Sequence, residues 1–112
     1  MTSIVFYKKA SNYIGLEVDG HTGYAENGKD ILCSAISGII QSGALSIVKV
    51  LKIEAKYARN EKRGFFKLDL PTNIIKNDRE KANIIFDTMK VGLEDLETGY
   101  SKFMKLEVRD VY

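Results

Sequence analysis

The chain carries one histidine and one cysteine, His21 and Cys33, twelve residues apart. A free thiol of pKa about 8.5 is only a few per cent thiolate at neutral pH. An adjacent imidazole that takes its proton leaves the sulfur nucleophilic, which is the activation that covalent cysteine catalysis requires. Taken singly, His21 reads as an exposed loop residue and Cys33 as a small buried hydrophobe. The segment they bracket is what marks them out. Gly20, His21, Gly23 and Tyr24 follow a predicted strand, Gly28 closes a glycine-punctuated loop, and Asp30 is a good helix N-cap. Cys33 then falls in the first helical turn, where unpaired amides and the macrodipole favour an anion by about 0.3–1 kcal/mol. The Asp30 charge, if close, works against that anion, so an imidazole partner has to outweigh it. Spacing alone leaves open whether His21 reaches Cys33.

Other chemistries fit less well. The Gly23 to Gly28 spacing matches the first part of a phosphate-binding loop, but Lys29-Asp30 follows where Lys-Ser or Lys-Thr is required. One histidine without a compact carboxylate set argues for no metal site, and no cofactor is expected. A single cysteine excludes an internal disulfide and a cysteine-based zinc cluster. Net charge is +2, from 17 basic and 15 acidic residues, too even for an electrostatic nucleic-acid footprint. The basic turn at Arg59, Lys62 and Arg63 is read as solvated, with no direct nucleic-acid binding. The N-terminus shows no basic segment followed by an apolar run, so no signal peptide is read there. Polar or charged residues interrupt each apolar stretch, so no membrane span is expected. The expected compartment is the reducing cytoplasm.

Positioning His21 and Cys33 is the task of the surrounding elements. Ile4 to Tyr7 reads as a short strand, Ala10 to Asn12 as a turn, and Tyr13 to Asp19 as a half-buried strand with Ile14, Leu16 and Val18 facing inward. The helix capped by Asp30 runs to about Val48 or Val50. Its predicted core stripe is Leu32, Ala35, Ile36, Ile39, Gly43 and Ile47, with Gly38 and Gly43 as close-packing positions. Alternation predicts a third strand over Leu51–Tyr57 and a fourth over Phe66–Leu70, ended by Pro71. Asn77 with Glu80 resembles a capping box for a second helix. That helix has Ala82, Ile85, Met89, Gly92, Leu93 and Leu96 inward, Asp87 outward, and Gly99 as C-terminal cap. A last strand covers Met104 to Val108. With 45% hydrophobic and 29% charged residues over 112 positions, the expected class is α+β, a single domain over residues 1–112. Its order is β-β-α-β-β-α-β, a mostly antiparallel sheet with two helices packed on it.

Gly20-His21-Thr22-Gly23-Tyr24-Ala25, followed by Gly28-Lys29-Asp30-Ile31-Leu32-Cys33-Ser34-Ala35-Ile36-Ser37, resembles the signature of the ribosomal-processing cysteine protease (Prp) family. That signature is Gly-His-x-Gly, a second glycine, then Asp-x-x-Cys-x-x-x-Ser. Thr22 is often alanine or serine in the family, and Ser34 often alanine. Length and element order resemble the family over nearly the whole chain. The resemblance implies a cytoplasmic endopeptidase that removes the N-terminal extension of a large-subunit ribosomal protein precursor, working as a homodimer. It implies Cys33 as nucleophile and His21 as general base, with Asp30 as accessory residue or helix cap. Gly20, Gly23, Tyr24 and Gly28 would form the substrate loop, closing when peptide is present. An oxyanion would be held by amides at the helix start, Cys33's own among them. The alternative is a non-catalytic ribosome-assembly or ribosomal-protein-binding module with a structural cysteine.

Overall fold

The structure is a computed structural model and describes residues 1–26 and 29–112. Five strands form one sheet: β1 Thr2–Lys9, β2 Asn12–Asp19, β3 Lys56–Asn60, β4 Phe65–Asp69 and β5 Met104–Asp110. Their order across the sheet is β3-β4-β2-β1-β5. All pairings are antiparallel except β1 with β5, which run parallel; the second helix carries the chain from β4 across the sheet to β5. The expected class and element order hold. Register puts Ile4 opposite Val18 and Leu106, Phe6 opposite Leu16, Leu16 opposite Leu68, and Val18 opposite Phe66. These side chains make one apolar face, and Ile4, Phe6, Leu16, Val18, Phe66 and Leu68 are all buried.

Ala10 and Ser11 both adopt positive φ, +50° and +68°, the geometry of a two-residue hairpin turn whose twist suits the flanking strands. Just beyond it the β1–β2 register slips by one residue, so Gly15 faces Tyr7 while Tyr13 faces Lys8. The slip reverses the alternation: Tyr13 is buried and Ile14, expected inside, is only half-buried. Tyr13 stacks on Phe86 with ring centroids 5.1 Å apart, and Phe6 meets both rings edge-on.

The first helix, α1, spans Ile31–Leu45 and continues through a wider π-helical turn, Ser46–Val50. Its buried residues are Leu32, Ile36, Ile40, Gly43 and Ala44, followed by Ile47. Ala35 and Ile39, placed in the core from the sequence, lie on the flank of this i,i+4 ridge; Ile39 packs against Gly92 instead. Gly43 is a close-packing position, with a Cβ added there only 2.1 Å from Met89 Sδ. Gly38 is exposed and a Cβ added there would meet nothing within 4 Å, so it is not a close-packing position. The run Ile31–Val50 is also long and apolar enough to cross a membrane, at 20 residues and mean hydropathy 1.8. The sequence reading excluded such a stretch. Its interruptions are hydroxyls, glycines and Gln41, with Lys49 near the end, and these lower hydropathy little. Here a third of the run, 33%, is buried inside the fold.

The predicted third strand starts five residues late. The π-helical turn carries the helix to Val50, where the Leu51 amide still donates to the Ser46 carbonyl, and Lys52 then turns out at φ +56°. Leu51, Ile53 and Ala55 alternate because they cap the core from an irregular segment. The second helix, α2, spans Lys76–Tyr100. Its cap position is Ile75, without a side-chain cap bond, so Asn77 is already inside the helix and the capping box does not form. Gly99 is likewise helical; the C-cap is Ser101 in a right-handed conformation, where no glycine is needed. Ala82, Phe86, Met89 and Leu93 are its buried residues, with Ile85, Gly92 and Leu96 on the flank. Asp87 is exposed as expected, yet its carboxylate accepts the Tyr13 hydroxyl proton at 2.5 Å.

Candidate active site

β2 ends beside the start of β1, and Gly20 is the residue that lets it do so. Its φ is +90°, and a Cβ there would lie 2.6 Å from the Met1 carbonyl oxygen. The Thr2 hydroxyl donates to the Gly20 carbonyl at 2.8 Å and fixes this exit. His21 follows, exposed, with Nε2 2.8 Å from the Lys62 carbonyl oxygen on the β3–β4 turn. A carbonyl only accepts, so Nε2 carries the proton, and in the neutral ring Nδ1 holds the lone pair. Among the described residues, His21 makes no hydrogen bond to Cys33.

The next residue ties the loop to the helix. Thr22 is buried; its hydroxyl donates to Asp30 Oδ2 and accepts the Tyr24 amide proton at 3.2 Å. Asp30 is the N-cap of α1, and its Oδ1 accepts the Cys33 amide proton at 2.8 Å. Burial pushes the Asp30 carboxyl up, but the Thr22 hydroxyl and the Cys33, Ala25 and Tyr24 amides outweigh it, leaving the group below its ordinary value. Asp30 is therefore charged at neutral pH. Cys33 is half-buried, and burial first, then the Asp30 charge, push its thiol up; the Thr22 backbone opposes them in part. Burial and the Asp30 charge both favour the neutral thiol over the thiolate. The Cys33 amide is also occupied by its cap, which argues against it as an oxyanion donor.

His21 and Cys33 line one cleft of about 390 Å³ between the end of β2, the start of α1 and the β3–β4 hairpin. Ile36 and Ile40 on one side and Phe65 and Phe66 on the other give it apolar walls. Arg59 bridges from β3 to Gln41 of α1 at 2.9 Å. Gly20 also lines the cleft. Gly23, at φ +73°, and Tyr24 stand outside that lining. The Tyr24 ring sits edge-on to Tyr100 and Phe103, with centroids 5.5 and 5.3 Å away, at the end of α2. Gly28 lies outside the described residues. No group of three or more potential metal ligands occurs among the described residues.

The β3–β4 turn is exposed, as its charge suggested, but it is not idle. Arg63 binds Asp19 through two bonds of 2.9 and 2.8 Å, and the Lys62 carbonyl and Gly64 lie against His21. The sequence reading missed Thr22, Lys62, Arg63 and Gly64. Lys62 contributes only its backbone, which no residue-type signal reveals.

A thiol and an imidazole lining one apolar-walled cleft at a capped helix start form an arrangement that cysteine-dependent hydrolysis can use. The family model of cysteine protease Prp matches residues 1–105, and the chain belongs to that family. It is 24% identical over 93 residues to the ribosomal processing cysteine protease Prp of Bacillus subtilis, covering 83% of each chain. It is 23% identical over 92 residues to that of Staphylococcus aureus, covering 82% of this chain and 83% of the relative. Among solved structures, a Streptococcus mutans protein superposes with TM-score 0.84 at 22% identity, over 99% of this chain and 96% of the other. The S. aureus ribosomal processing protease, in complex with a covalently linked product peptide, superposes at 0.85 and 22% identity, over 97% and 100%.

Proposed function

We propose that this protease removes the N-terminal extension of a large-subunit ribosomal protein precursor, with Cys33 as nucleophile and His21 as general base, in one protease domain over residues 1–112. The observation that carries the assignment is the shared cleft of His21 and Cys33. The relatives' names speak of ribosomal processing, and the family resemblance implies the N-terminal extension as the segment removed. In this reading His21 Nδ1 takes the Cys33 proton and the thiolate attacks the scissile carbonyl. His21 returns the proton to the leaving amine, which departs as the new N-terminus. A thioester remains on Cys33. Water, deprotonated by His21, attacks it, releasing the extension as a carboxylate and restoring the thiol.

With His21 bonded to the Lys62 carbonyl rather than to Cys33, this reading has the substrate loop of Gly20, Gly23, Tyr24 and Gly28 complete the site when peptide binds. Asp30 serves as helix cap and brace for Thr22. The enzyme acts as a homodimer in the cytoplasm, as the family resemblance implies. The test is incubation with a peptide spanning the junction between extension and mature protein. Wild type cuts it, whereas Cys33→Ala and His21→Ala do not. Cutting that persists in Cys33→Ala refutes the nucleophile assignment. Binding without cutting by wild type favours the assembly-module reading.

A further inference from the structure

We propose that the β3–β4 turn is the positioning element of the general base: the Lys62 carbonyl holds His21 by Nε2–H, and Gly64 is the residue that permits the approach. The proposal rests on the reading of His21 as general base. The turn is fixed at three places. Internally, the Gly64 amide donates to the Glu61 carbonyl at 3.2 Å and the Arg63 amide to Asn60 Oδ1 at 3.2 Å. Laterally, the Arg63 guanidinium binds Asp19 and lies 4.7 Å from the Phe65 ring centroid. At its inner edge, Gly64 adopts φ +70°, and a Cβ there would lie 2.9 Å from the Gly20 carbonyl carbon and 3.2 Å from His21 Cε1. The last two sets of contacts converge on Asp19, Gly20 and His21. A hairpin that only reversed the chain would need neither.

An exposed imidazole otherwise turns about χ2 and exchanges tautomers, so either nitrogen faces the thiol in turn. Pinning Nε2–H leaves Nδ1 as the basic nitrogen. The Lys62 carbonyl thus does for His21 what a carboxylate or carboxamide does for other catalytic histidines. The charged and titratable groups around the ring are Cys33 and Asp30 on the α1 side, Arg59 and Glu61 in the cleft, and Asp19 with Arg63 behind.

The experiment compares wild type, Gly64→Ala, Arg63→Ala and the swapped pair Asp19→Arg with Arg63→Asp, using the junction peptide. Misplacing a catalytic group by about 1 Å costs on the order of 100-fold, so kcat of Gly64→Ala should fall at least tenfold while KM stays within about twofold. Arg63→Ala should lose a smaller share of kcat, and the swapped pair should recover it. His21 is the only histidine, so nitrogen NMR reads its ring without assignment. Wild type should show an exchange-protected Nε2 proton, lost in Gly64→Ala and weakened in Arg63→Ala. If Gly64→Ala does not fold, Arg63→Ala and its swap decide the matter. Unchanged kcat, or lost kcat with an unchanged imidazole signal, overturns the proposal. Cleavage surviving in His21→Ala overturns the general-base reading and this proposal with it; cleavage lost there but kept in Gly64→Ala and Arg63→Ala overturns this proposal alone.

Discussion

Asp30→Asn tests the effect of one charge on the Cys33 thiol. Asparagine keeps an oxygen to accept the Cys33 amide proton, now bonded at 2.8 Å, and caps helices as well as aspartate does. What disappears is the negative charge, one of the two causes that push the Cys33 thiol up, together with the second oxygen, which accepts the Thr22 hydroxyl proton. Two like unit charges about 5 Å apart, within the range at which one disfavours ionisation of the other, repel by about 1–3 kcal/mol between effective dielectrics of 80 and 20. Removing that repulsion raises the thiolate population at fixed pH by about 5- to 150-fold. Nucleophilicity falls as basicity falls, with a slope of about 0.4–0.5, so the net gain in rate is about three- to fifteenfold. The assay is iodoacetamide alkylation of substrate-free protein at pH 7, followed by mass spectrometry, with thermal melts as the folding control. A rate that stays the same or drops in a folded Asp30→Asn protein refutes the claim that Asp30 restrains the resting thiol.

Three further outcomes follow from the same contacts. Asp30 has a lowered folded pKa, so its ionised form contributes stability fully above its ordinary value of 3.8 and loses it as pH falls through the folded value. The gap in melting temperature between wild type and Asp30→Asn should be largest near neutrality and close in acid; a gap that widens in acid contradicts this. Tyr13→Phe removes the 2.5 Å bond to the Asp87 carboxylate and should cost about 1.5–3 kcal/mol in urea unfolding. Gly43→Ala drives a methyl toward Met89 and should cost about 1–3 kcal/mol, since the helices must part or the methionine must leave its well; a neutral result would mean that Met89 moves freely.

Much of the fold was legible because its signals are local. Asp30 announced the start of α1, and the alternation of Phe66 and Leu68 announced β4. The failures share a cause: a local pattern was overruled by a contact elsewhere in the fold. Ile14 lost its inward place to a register slip that lets Tyr13 stack on Phe86. The alternation of Leu51, Ile53 and Ala55 looked like a strand because an irregular segment capping the core buries every second residue too. At the site, His21, Asp30 and Cys33 stood out by residue type. Their partners did not, because Lys62 acts through a carbonyl that every residue possesses, and Gly64 acts by having no side chain in a turn that would favour glycine anyway.

Those partners decide what Asp30 can do. A third catalytic member would have to accept a proton from the imidazole, but the Nε2 proton goes to Lys62. Both Asp30 oxygens are already used, one by the Thr22 hydroxyl and one by the Cys33 amide. Turning Asp30 toward His21 would therefore break the helix cap and leave the buried Thr22 hydroxyl without its acceptor, each a loss of about 1 kcal/mol or more. The carboxylate pushes the Cys33 thiol up instead, while its two hydrogen bonds hold the segments that carry His21 and Cys33 in one place.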